Sequence, residues 1–271
     1  MRLRSLLYVP AHIDKFVAKA HERGADAVIL DLEDSVPVDL KTQARSCLEH
    51  AVPLAARSGT KVFVRINAGQ GAFVDAQAAM RAGAFGLVLP KVETAVELDA
   101  LQATSTQIIA IIETPQGLLN AREIAAHPSV IALILGAEDF ATQLDGQPDA
   151  EVVRIPKLLV HYAAKAYGKL SLGLLRSAVQ YNDLEGLQQA AAEAAKHGFD
   201  GATCVHPTIV DVLNQAFTPS EAAIEHAKAV IVANQQAVQN GQGAFMFQGE
   251  FIDAPIVERY KRLLARAGLM H

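Results

Sequence analysis

The amino-acid sequence predicts an α/β protein, a closed (β/α)8 TIM barrel followed by a C-terminal lid segment and helix. Eight apolar runs rich in β-branched residues recur along the chain, and a stretch with helical periodicity follows each of them. The runs are apolar on both faces, which is typical of a parallel sheet covered by helices. Eight strand–helix repeats favour a closed barrel, and a doubly wound open sheet is the alternative.

The predicted strands are short, and the turn after the first one distinguishes the two folds. In chain order the strands are Ser5–Pro10, Asp26–Leu32, Lys61–Asn67, Gly86–Val92, Ile108–Thr114, Val130–Asp139, Lys169–Arg176 and Gly201–Pro207. A doubly wound nucleotide-binding sheet carries a glycine-rich phosphate turn after its first strand, whereas this chain has Pro10-Ala11-His12 there. The first turn therefore favours the barrel.

Helices are predicted between the strands from the signals at their ends. Thr94 and Glu97 have the spacing of a capping box. The segment Thr218-Pro219-Ser220-Glu221 predicts a helix with proline at its first position. Glycines are expected to stop helices just before the next strand, at Gly24, Gly83, Gly168 and Gly198.

The strand–helix rhythm breaks in the C-terminal part of the chain. We assign residues 1–240 to the TIM-barrel domain, which ends with a helix over Glu221–Gln239. Residues 241–271 form the lid and a last helix from Ile256 to about Ala267. The glycines of Asn240-Gly241-Gln242-Gly243 predict a joint between them. The lid is then part of the same domain or is swapped onto a neighbouring subunit.

Composition excludes several classes of partner. The 271 residues carry a formal net charge of -5 with Lys and Arg scattered singly, so the basic stripe that nucleic acid needs is missing. No apolar run approaches the roughly 20 residues that cross a bilayer, and the N-terminus has no cleavage-site pattern. Cys47 and Cys204 lie in apolar settings and give no disulfide framework. We therefore expect a cytoplasmic protein without a membrane partner.

Polar residues end most of the predicted strands. Barrel enzymes place their reacting groups at the carboxyl ends of the strands, so these residues can be considered as one set. In chain order they are Asp31 and Glu33, Arg65 and Asn67, Lys91, Glu113, Glu138 and Asp139, and His206. Several charged residues fall on one face of the predicted barrel. Such clustering favours one shared functional site over unrelated structural roles.

The carboxylates of this set predict a divalent cation. Glu113 and Asp139 end neighbouring strands, with Asp31 and Glu33 across the barrel mouth. Such charges would repel one another and take up protons unless a cation neutralised them. All-oxygen ligation by few protein groups is typical of Mg²⁺, which keeps water molecules and shares itself with substrate. The chain has neither a Cys-x-x-Cys nor a His-x-x-x-His pattern for zinc.

Arg65 completes the predicted site. A guanidinium in an acidic mouth is suited to a bidentate grip on a substrate carboxylate. Together with a metal acting as Lewis acid, it would bind an α-oxo or α-hydroxy acid. Structural roles remain open at this point, because a carboxylate at a strand end often caps a helix or pairs with Lys or Arg. Residues for which such roles are expected include Asp34, Glu138, Lys91, His206, His12 and His161.

Several segments together resemble the citrate lyase beta-subunit-like family of the aldolase and citrate lyase superfamily. They span nearly the whole chain in the family's order: RSLLYVPA, GADAVILDLEDSV, VRINA, LVLPKVE, IIETPQG, ILGAEDF, GFDGATCVHP and GAFMFQGEFIDAP. The resemblance implies Mg²⁺ bound by Glu113 and Asp139. Asp31 and Glu33 would lie behind the metal site, in contact through water or other ligands.

The resemblance also assigns the substrate groups. Arg65 would bind the carboxylate of an α-keto acid, helped by Glu113 and by the backbone amides of Gly136, Ala137 and Glu138. Asp253, in the C-terminal lid, would protonate the enolate of the thioester product. In the family this lid comes from a neighbouring subunit, so a closed oligomer is required, and the resemblance implies a homotrimer. A purely structural alternative is that Asp253 caps the last helix and the nearby Phe residues pack against it.

The activity implied by the resemblance is that of a Mg-dependent carbon–carbon lyase, an oxo-acid lyase. It would cleave a 3-hydroxy-dicarboxylyl-CoA thioester of the citramalyl, malyl or citryl type to an acyl-CoA and an α-keto acid. Two alternatives remain: a citrate lyase beta subunit acting on a carrier-protein thioester, and a non-catalytic barrel that binds a dicarboxylate or CoA. Departures from the family at Pro10-Ala11, Leu172-Gly173-Leu174 and Ala202-Thr203 leave the choice between CoA and a carrier arm open.

Overall fold

The computed structural model describes residues 1–102, 107–148, 151–175 and 183–270. These residues divide into two compact units, Leu3–Phe217 together with Met1, and Thr218–His271 together with Arg2. The predicted end of the seventh strand at Arg176 lies outside the described residues.

The first unit is built around a parallel sheet of eight strands. They are β1 (Ser5–Pro10), β2 (Ala27–Asp31), β3 (Lys61–Arg65), β4 (Gly86–Leu89), β5 (Ile108–Ile112), β6 (Val130–Leu135), β7 (Leu170–Leu172) and β8 (Ala202–Cys204). The strand order is β7-β6-β5-β4-β3-β2-β1-β8, and a parallel bridge between Leu172 and Gly201 joins the two ends. The predicted (β/α)8 barrel is therefore confirmed, and the open-sheet alternative is wrong.

Two layers of apolar side chains hold the strands in place. Leu6, Ile29, Phe63 and Ile109 fill the inside of the barrel, and all four are fully buried. Alternate residues of the same strands pack outward against the helices. This explains why the strands are apolar on both faces, since each face meets another layer. The strands end where polar residues begin, and this end carries the site described below.

Helices surround the barrel on its outer side. They are α1 (Asp14–Val17), α2 (Lys41–Ala55), α3 (Ala72–Arg81), α4 (Ala95–Gln102), α5 (Pro115–Leu119), α6 (Ala121–Ala126), α7 (Ala137–Gln143), α8 (Glu151–Ala166), α9 (Leu184–His197) and α10 (Thr208–Ala216). Among the helices of the described ranges, none combines the length and the apolar character needed to cross a membrane.

Most of the predicted helix ends are confirmed. Gly24 and Gly198 close their helices in the left-handed conformation, with φ of 72° and 92°. In the capping box, Glu97 Oε1 accepts the backbone N–H of Thr94 at 2.9 Å.

The start predicted at Thr218 to Glu221 is wrong in one respect. Ser220 is the N-cap and accepts from Ala223 N at 3.2 Å, so Pro219 precedes the helix. A hydroxyl cap at this place stabilises the helix better than proline in the first turn would, because it satisfies a free backbone N–H.

The second unit contains two helices and a hairpin. They are α11 (Glu221–Gln239), β9 (Phe245–Phe247), β10 (Glu250–Ile252) and α12 (Ala254–Arg266). Val230, Ile252 and Val257 form its small apolar core. Helix α12 begins before the predicted Ile256, because Asp253 caps it and accepts from Ile256 N at 3.2 Å. The predicted helix over Glu221–Gln239 is confirmed.

Candidate active site

A cavity of about 620 Å³ lies at the carboxyl ends of the barrel strands. Its charged lining, among the described residues, consists of Asp31, Asp34, Arg65, Glu113, Glu138, Asp139 and Lys157. Gly136 and Ala137 also line it, and Glu33 contacts Arg65 beside it. The structure thus brings the predicted site residues of the barrel together. Asp253 belongs to the second unit, where its carboxylate caps α12.

Arg65 is held by its neighbours on β2 and by an aromatic ring. Its Nε and Nη2 donate to Asp31 Oδ1 and Oδ2 at 2.6 and 2.7 Å. Nη1 donates to Asp34 Oδ2 at 3.1 Å and lies 2.8 Å from Glu33 Oε2, at angles that do not form a hydrogen bond. The guanidinium carbon is 4.9 Å from the centre of the Tyr8 ring. Burial lowers the pKa of Arg65, but the hydrogen bond to Asp31 and the charges of Tyr8, Asp31 and Glu33 outweigh burial and raise that pKa.

Asp31 is the last residue of β2 and accepts several hydrogen bonds. Its Oδ1 accepts the backbone N–H of Glu33 at 2.9 Å, and Oδ2 accepts the N–H and hydroxyl of Ser35 at 3.0 and 2.5 Å. Burial would raise the pKa of Asp31, yet the bonds from Arg65 and Ser35 lower it overall. Asp31 is therefore a fixed negative charge that orients Arg65.

Glu33 lies between two cations. Its Oε1 is 3.4 Å from Lys91 Nζ, and Arg65 lies on its other oxygen. Burial raises the pKa of Glu33, and the charge of Arg65 opposes the increase. The acidic segment after β2 is thus neutralised by Arg65 and Lys91 to a large extent. The sequence reasoning assigned this neutralisation to a cation alone and missed these two pairings.

Glu113 follows β5 and is buried against the backbone. Its Oε2 accepts the backbone N–H of Lys91 at 2.8 Å. Lys91 has a positive φ of 54°, a strained conformation that aims this amide. The pKa of Glu113 is raised to about 7, mainly by burial; the bond from Lys91 opposes the increase and the charge of Asp139 adds to it.

Gly136 makes room for Glu113. A Cβ atom at position 136 would lie 2.5 Å from Glu113 Oε1 and 2.5 Å from its Cγ, so any side chain there would displace the Glu113 carboxylate. The Gly136 amide donates to Ile112 O at 2.9 Å within the sheet. The N–H of Gly136 is therefore already engaged by Ile112. The prediction that this amide helps to bind a carboxylate does not match the structure. The amides of Ala137 and Glu138 remain at the start of α7.

Asp139 lies in the first turn of α7. It lines the cavity together with Glu113. Among the described residues, no group of three or more His, Cys, Asp or Glu side chains could hold a metal. A pair of carboxylates fits Mg²⁺, which takes one or two protein carboxylates and completes its shell with water and substrate. The raised pKa of Glu113 supports this fit, because a buried carboxylate beside a second negative charge is stabilised in its ionised form by a cation.

The other strand-end residues have structural contacts. Asn67 donates its backbone and side-chain N–H to Asp75 Oδ2 at 3.0 and 2.7 Å. His206 is exposed, and its Nδ1 pairs with Thr208 Oγ1 at 2.8 Å. His161 pairs with Ser171 Oγ at 3.0 Å behind β7. His206 and His161, a residue of α8, therefore have the structural contacts that the sequence left open for them, and Asn67 holds the loop after β3.

Lys157 is the cavity residue that sequence reasoning missed. It lies on α8, only 7% exposed, and lines the cavity opposite the Arg65 side. Burial lowers the pKa of Lys157 to about 8, although the charge of Glu138 opposes this. A signal was present in the sequence, since Val153, Val160 and Ala164 mark the buried face of α8 and Lys157 falls on it.

Comparison with known proteins identifies relatives over the full length of the chain. The model of the HpcH/HpaI aldolase/citrate lyase family matches residues 4–207. A (3S)-malyl-CoA thioesterase of Cereibacter sphaeroides (strain KD131) is 34% identical over 270 residues, covering 97% of this chain and 94% of the relative. The citrate lyase subunit beta of Escherichia coli K12 is 31% identical over 284 residues, covering 98% and 93%.

Solved structures of related proteins also resemble the chain. The protein CitE from Mycobacterium tuberculosis in complex with magnesium, acetoacetate and coenzyme A has a TM-score of 0.84 at 33% identity, covering 97% of both chains. A citrate lyase beta subunit from M. tuberculosis with oxaloacetate and magnesium has a TM-score of 0.72 at 32% identity, covering 80% of this chain and 98% of that one. The likeness extends to proteins that bind magnesium and small oxo acids.

Proposed function

The chain belongs to the HpcH/HpaI aldolase/citrate lyase family, and from this premise we propose that it is a magnesium-dependent carbon–carbon lyase. The substrate is a 3-hydroxy-dicarboxylyl-CoA thioester of the citramalyl, malyl or citryl type. The products are an acyl-CoA and an α-keto acid. The observation that carries the proposal is the pair Glu113 and Asp139, which share a cavity with Arg65 at the strand ends.

Glu113 and Asp139 are the residues that would hold Mg²⁺. When bound there, the ion supplies Lewis-acid stabilisation of negative charge on the oxygens next to the bond that breaks. Structures of M. tuberculosis relatives with magnesium and small oxo acids support magnesium as the ion. Lys91 fixes Glu113 through its backbone amide, so the carboxylate keeps one orientation before substrate arrives.

Arg65 would bind the substrate carboxylate. Its contact with Asp31 uses Nε and Nη2, which leaves Nη1 as the nitrogen best placed for substrate. The partner of Nη1, Asp34, has a side chain that is 59% exposed and can turn to solvent at small cost. A substrate carboxylate would take the place of Asp34 beside a guanidinium that Asp31 already orients.

The cleavage redistributes two electron pairs. The 3-hydroxyl loses its proton to a base, and its oxygen forms the carbonyl of the keto acid. The electrons of the C2–C3 bond remain on the thioester fragment as an enolate, which then takes up a proton at carbon. We assign that proton to Asp253 of a neighbouring subunit in a homotrimer, as the family resemblance implies. A lid that excludes water would protect the enolate until it is protonated.

A thioesterase is the second candidate, and the similarity to (3S)-malyl-CoA thioesterase favours it. Hydrolysis would release a hydroxy acid and free CoA, whereas cleavage releases a keto acid and an acyl-CoA. A carrier-protein thioester as substrate, favoured by the similarity to the E. coli citrate lyase subunit beta, is a variant of the lyase proposal.

Incubation with citramalyl-, malyl- and citryl-CoA and Mg²⁺ tests the proposal. Keto acid and free thiol are measured in parallel, with and without EDTA. Mg-dependent keto acid without free thiol supports the lyase. Free thiol without keto acid supports the thioesterase, and neither product from any of the three thioesters leaves a binding protein or a carrier-dependent enzyme.

We also propose that the protein works in the cytoplasm. Cys47 and Cys204 are free thiols in the structure. Cys204 is buried, and burial raises its pKa to about 12, so it is an inert apolar residue that needs no oxidising compartment. Cell fractionation, and light scattering for the trimer, check these assignments.

A further inference from the structure

The cavity continues beyond the proposed metal ligands toward α8. On this side it is lined by Lys157 and Val160 of α8, by Leu172 and Leu174 around β7, and by Phe199 before β8. Of the described residues on this side, only Lys157 and the buried Ser171 have polar side chains. It is a different part of the cavity from the acidic mouth around Arg65.

The two cations among the described lining residues, Arg65 and Lys157, lie on opposite sides of the barrel. Arg65 ends β3, and Lys157 projects from the helix that packs on β6 and β7. In the strand order β5 and β6 lie between these positions; Glu113 follows β5, and Asp139 lies in the first turn of α7, which follows β6. A substrate held by Arg65 and the proposed metal ligands would therefore extend its far end toward Lys157.

Lys157 is a charged residue at a position that suits an apolar one. The position belongs to the inward face of α8, where Val153, Val160 and Ala164 are buried and a Leu or Met would pack at less cost. Glu138, exposed at the rim, is the acid whose charge favours the ammonium form. With a pKa of about 8, Lys157 is mainly protonated at neutral pH and presents a positive charge to the cavity.

We propose that Lys157 is a specificity-determining residue that binds a second carboxylate on the keto-acid part of the substrate. This rests on the proposed function and narrows its substrate class. The preferred substrate would carry a carboxymethyl group on the carbinol carbon, so that the keto product is a 2-oxo dicarboxylate. A methyl group or hydrogen at this place would leave the ammonium with no substrate anion to bind, at a cost in affinity.

Binding of two keto acids that differ by one carboxylate tests this directly. Isothermal titration with freshly dissolved oxaloacetate and with pyruvate, both with Mg²⁺, gives the preference of the wild-type protein. We expect oxaloacetate to bind on the order of 10-fold more tightly or better, as a charged hydrogen bond implies. Lys157→Met should remove this preference while leaving pyruvate affinity within about twofold, and Lys157→Arg should keep part of it.

Matched controls separate recognition from folding. Lys165→Met removes a lysine of the same helix that pairs with Asp200 and does not line the cavity, so it should leave the preference unchanged. Equal wild-type affinities for the two acids, or equal losses for both in Lys157→Met, would overturn the proposal. If Lys157→Met does not fold, the oxaloacetate preference of wild type is compared with that of Lys157→Gln, which should lose it. The test needs no turnover, so a failure of the lyase assay remains distinguishable from it.

Discussion

Asp31 and Arg65 are direct partners across β2 and β3, and their side chains meet in a bidentate pair of 2.6 and 2.7 Å. The sheet itself, not a loop, therefore sets the direction of the guanidinium. A group that must meet a substrate carboxylate gains from this placement, because little conformational freedom is left to lose on binding.

Asp31→Asn should destabilise the protein and weaken substrate binding. The change leaves Arg65 buried without its main counter-charge, which costs about 3 kcal/mol by analogy with broken buried pairs. Urea unfolding at pH 7 measures the loss, and KM for the thioester should rise because the guanidinium is no longer held. A variant with wild-type stability and KM would show that Asp34 and Glu33 suffice to hold Arg65.

The difference in unfolding free energy between wild type and Asp31→Asn should depend on pH, because the pKa of Asp31 is lowered in the folded protein. An acid whose pKa is lowered on folding contributes stability above its unfolded pKa, about 3.9, and loses it as pH falls through the folded value. The gap in unfolding free energy between wild type and Asp31→Asn should therefore be constant from pH 5 to 7 and shrink below about pH 4. If the gap already shrinks between pH 7 and 5, the pH-dependent stability comes from a group other than Asp31.

Glu113→Gln and Asp139→Asn should each abolish metal-dependent function while keeping the fold. Both amides preserve shape but remove a negative oxygen, and Mg²⁺ binds amide oxygens far more weakly. Binding of Mn²⁺, followed by electron paramagnetic resonance, should be lost, and turnover should fall on the order of 100-fold or more. Glu123→Gln, an exposed residue of α6, is the control. Metal binding retained in both variants would refute the assignment.

Gly136→Ala should mimic the loss of Glu113. The added Cβ would lie 2.5 Å from Glu113 Oε1, so the carboxylate must move away from the Lys91 amide. Mn²⁺ affinity and turnover should fall together, with little change in melting temperature. At Gly71 the same change meets only Asn67 Cβ at 3.6 Å, so Gly71→Ala should be neutral. Normal metal affinity in Gly136→Ala would mean that Glu113 is free to shift.

The barrel could be predicted from the sequence because each strand is apolar on both faces and each segment between strands has helical periodicity. Strand starts were placed almost to the residue, as at Ser5, Lys61 and Ile108. Strand ends were extended too far at Asp139, because a local pattern does not show where pairing stops and α7 begins.

The sequence predicts which residues form the site better than it predicts the contacts between them. Charged residues at strand ends identify a common edge, but which acid meets which cation depends on register and side-chain direction. Asp31 was expected near a metal and is bonded to Arg65. Lys157 was missed, because a residue on a helix behind the sheet reaches the cavity only through packing that strand ends do not show.

Asp253→Asn separates the catalytic role of Asp253 from its structural one. Asp253 caps α12, and asparagine caps a helix about as well as aspartate. The variant should therefore keep its melting temperature and Mn²⁺ binding while its kcat falls, because an amide cannot donate the proton that the enolate needs. Asp253→Ala, by comparison, should also lose about 1 kcal/mol of stability with the cap. If Asp253→Asn keeps full kcat, the proton comes from elsewhere and the aspartate is a cap alone.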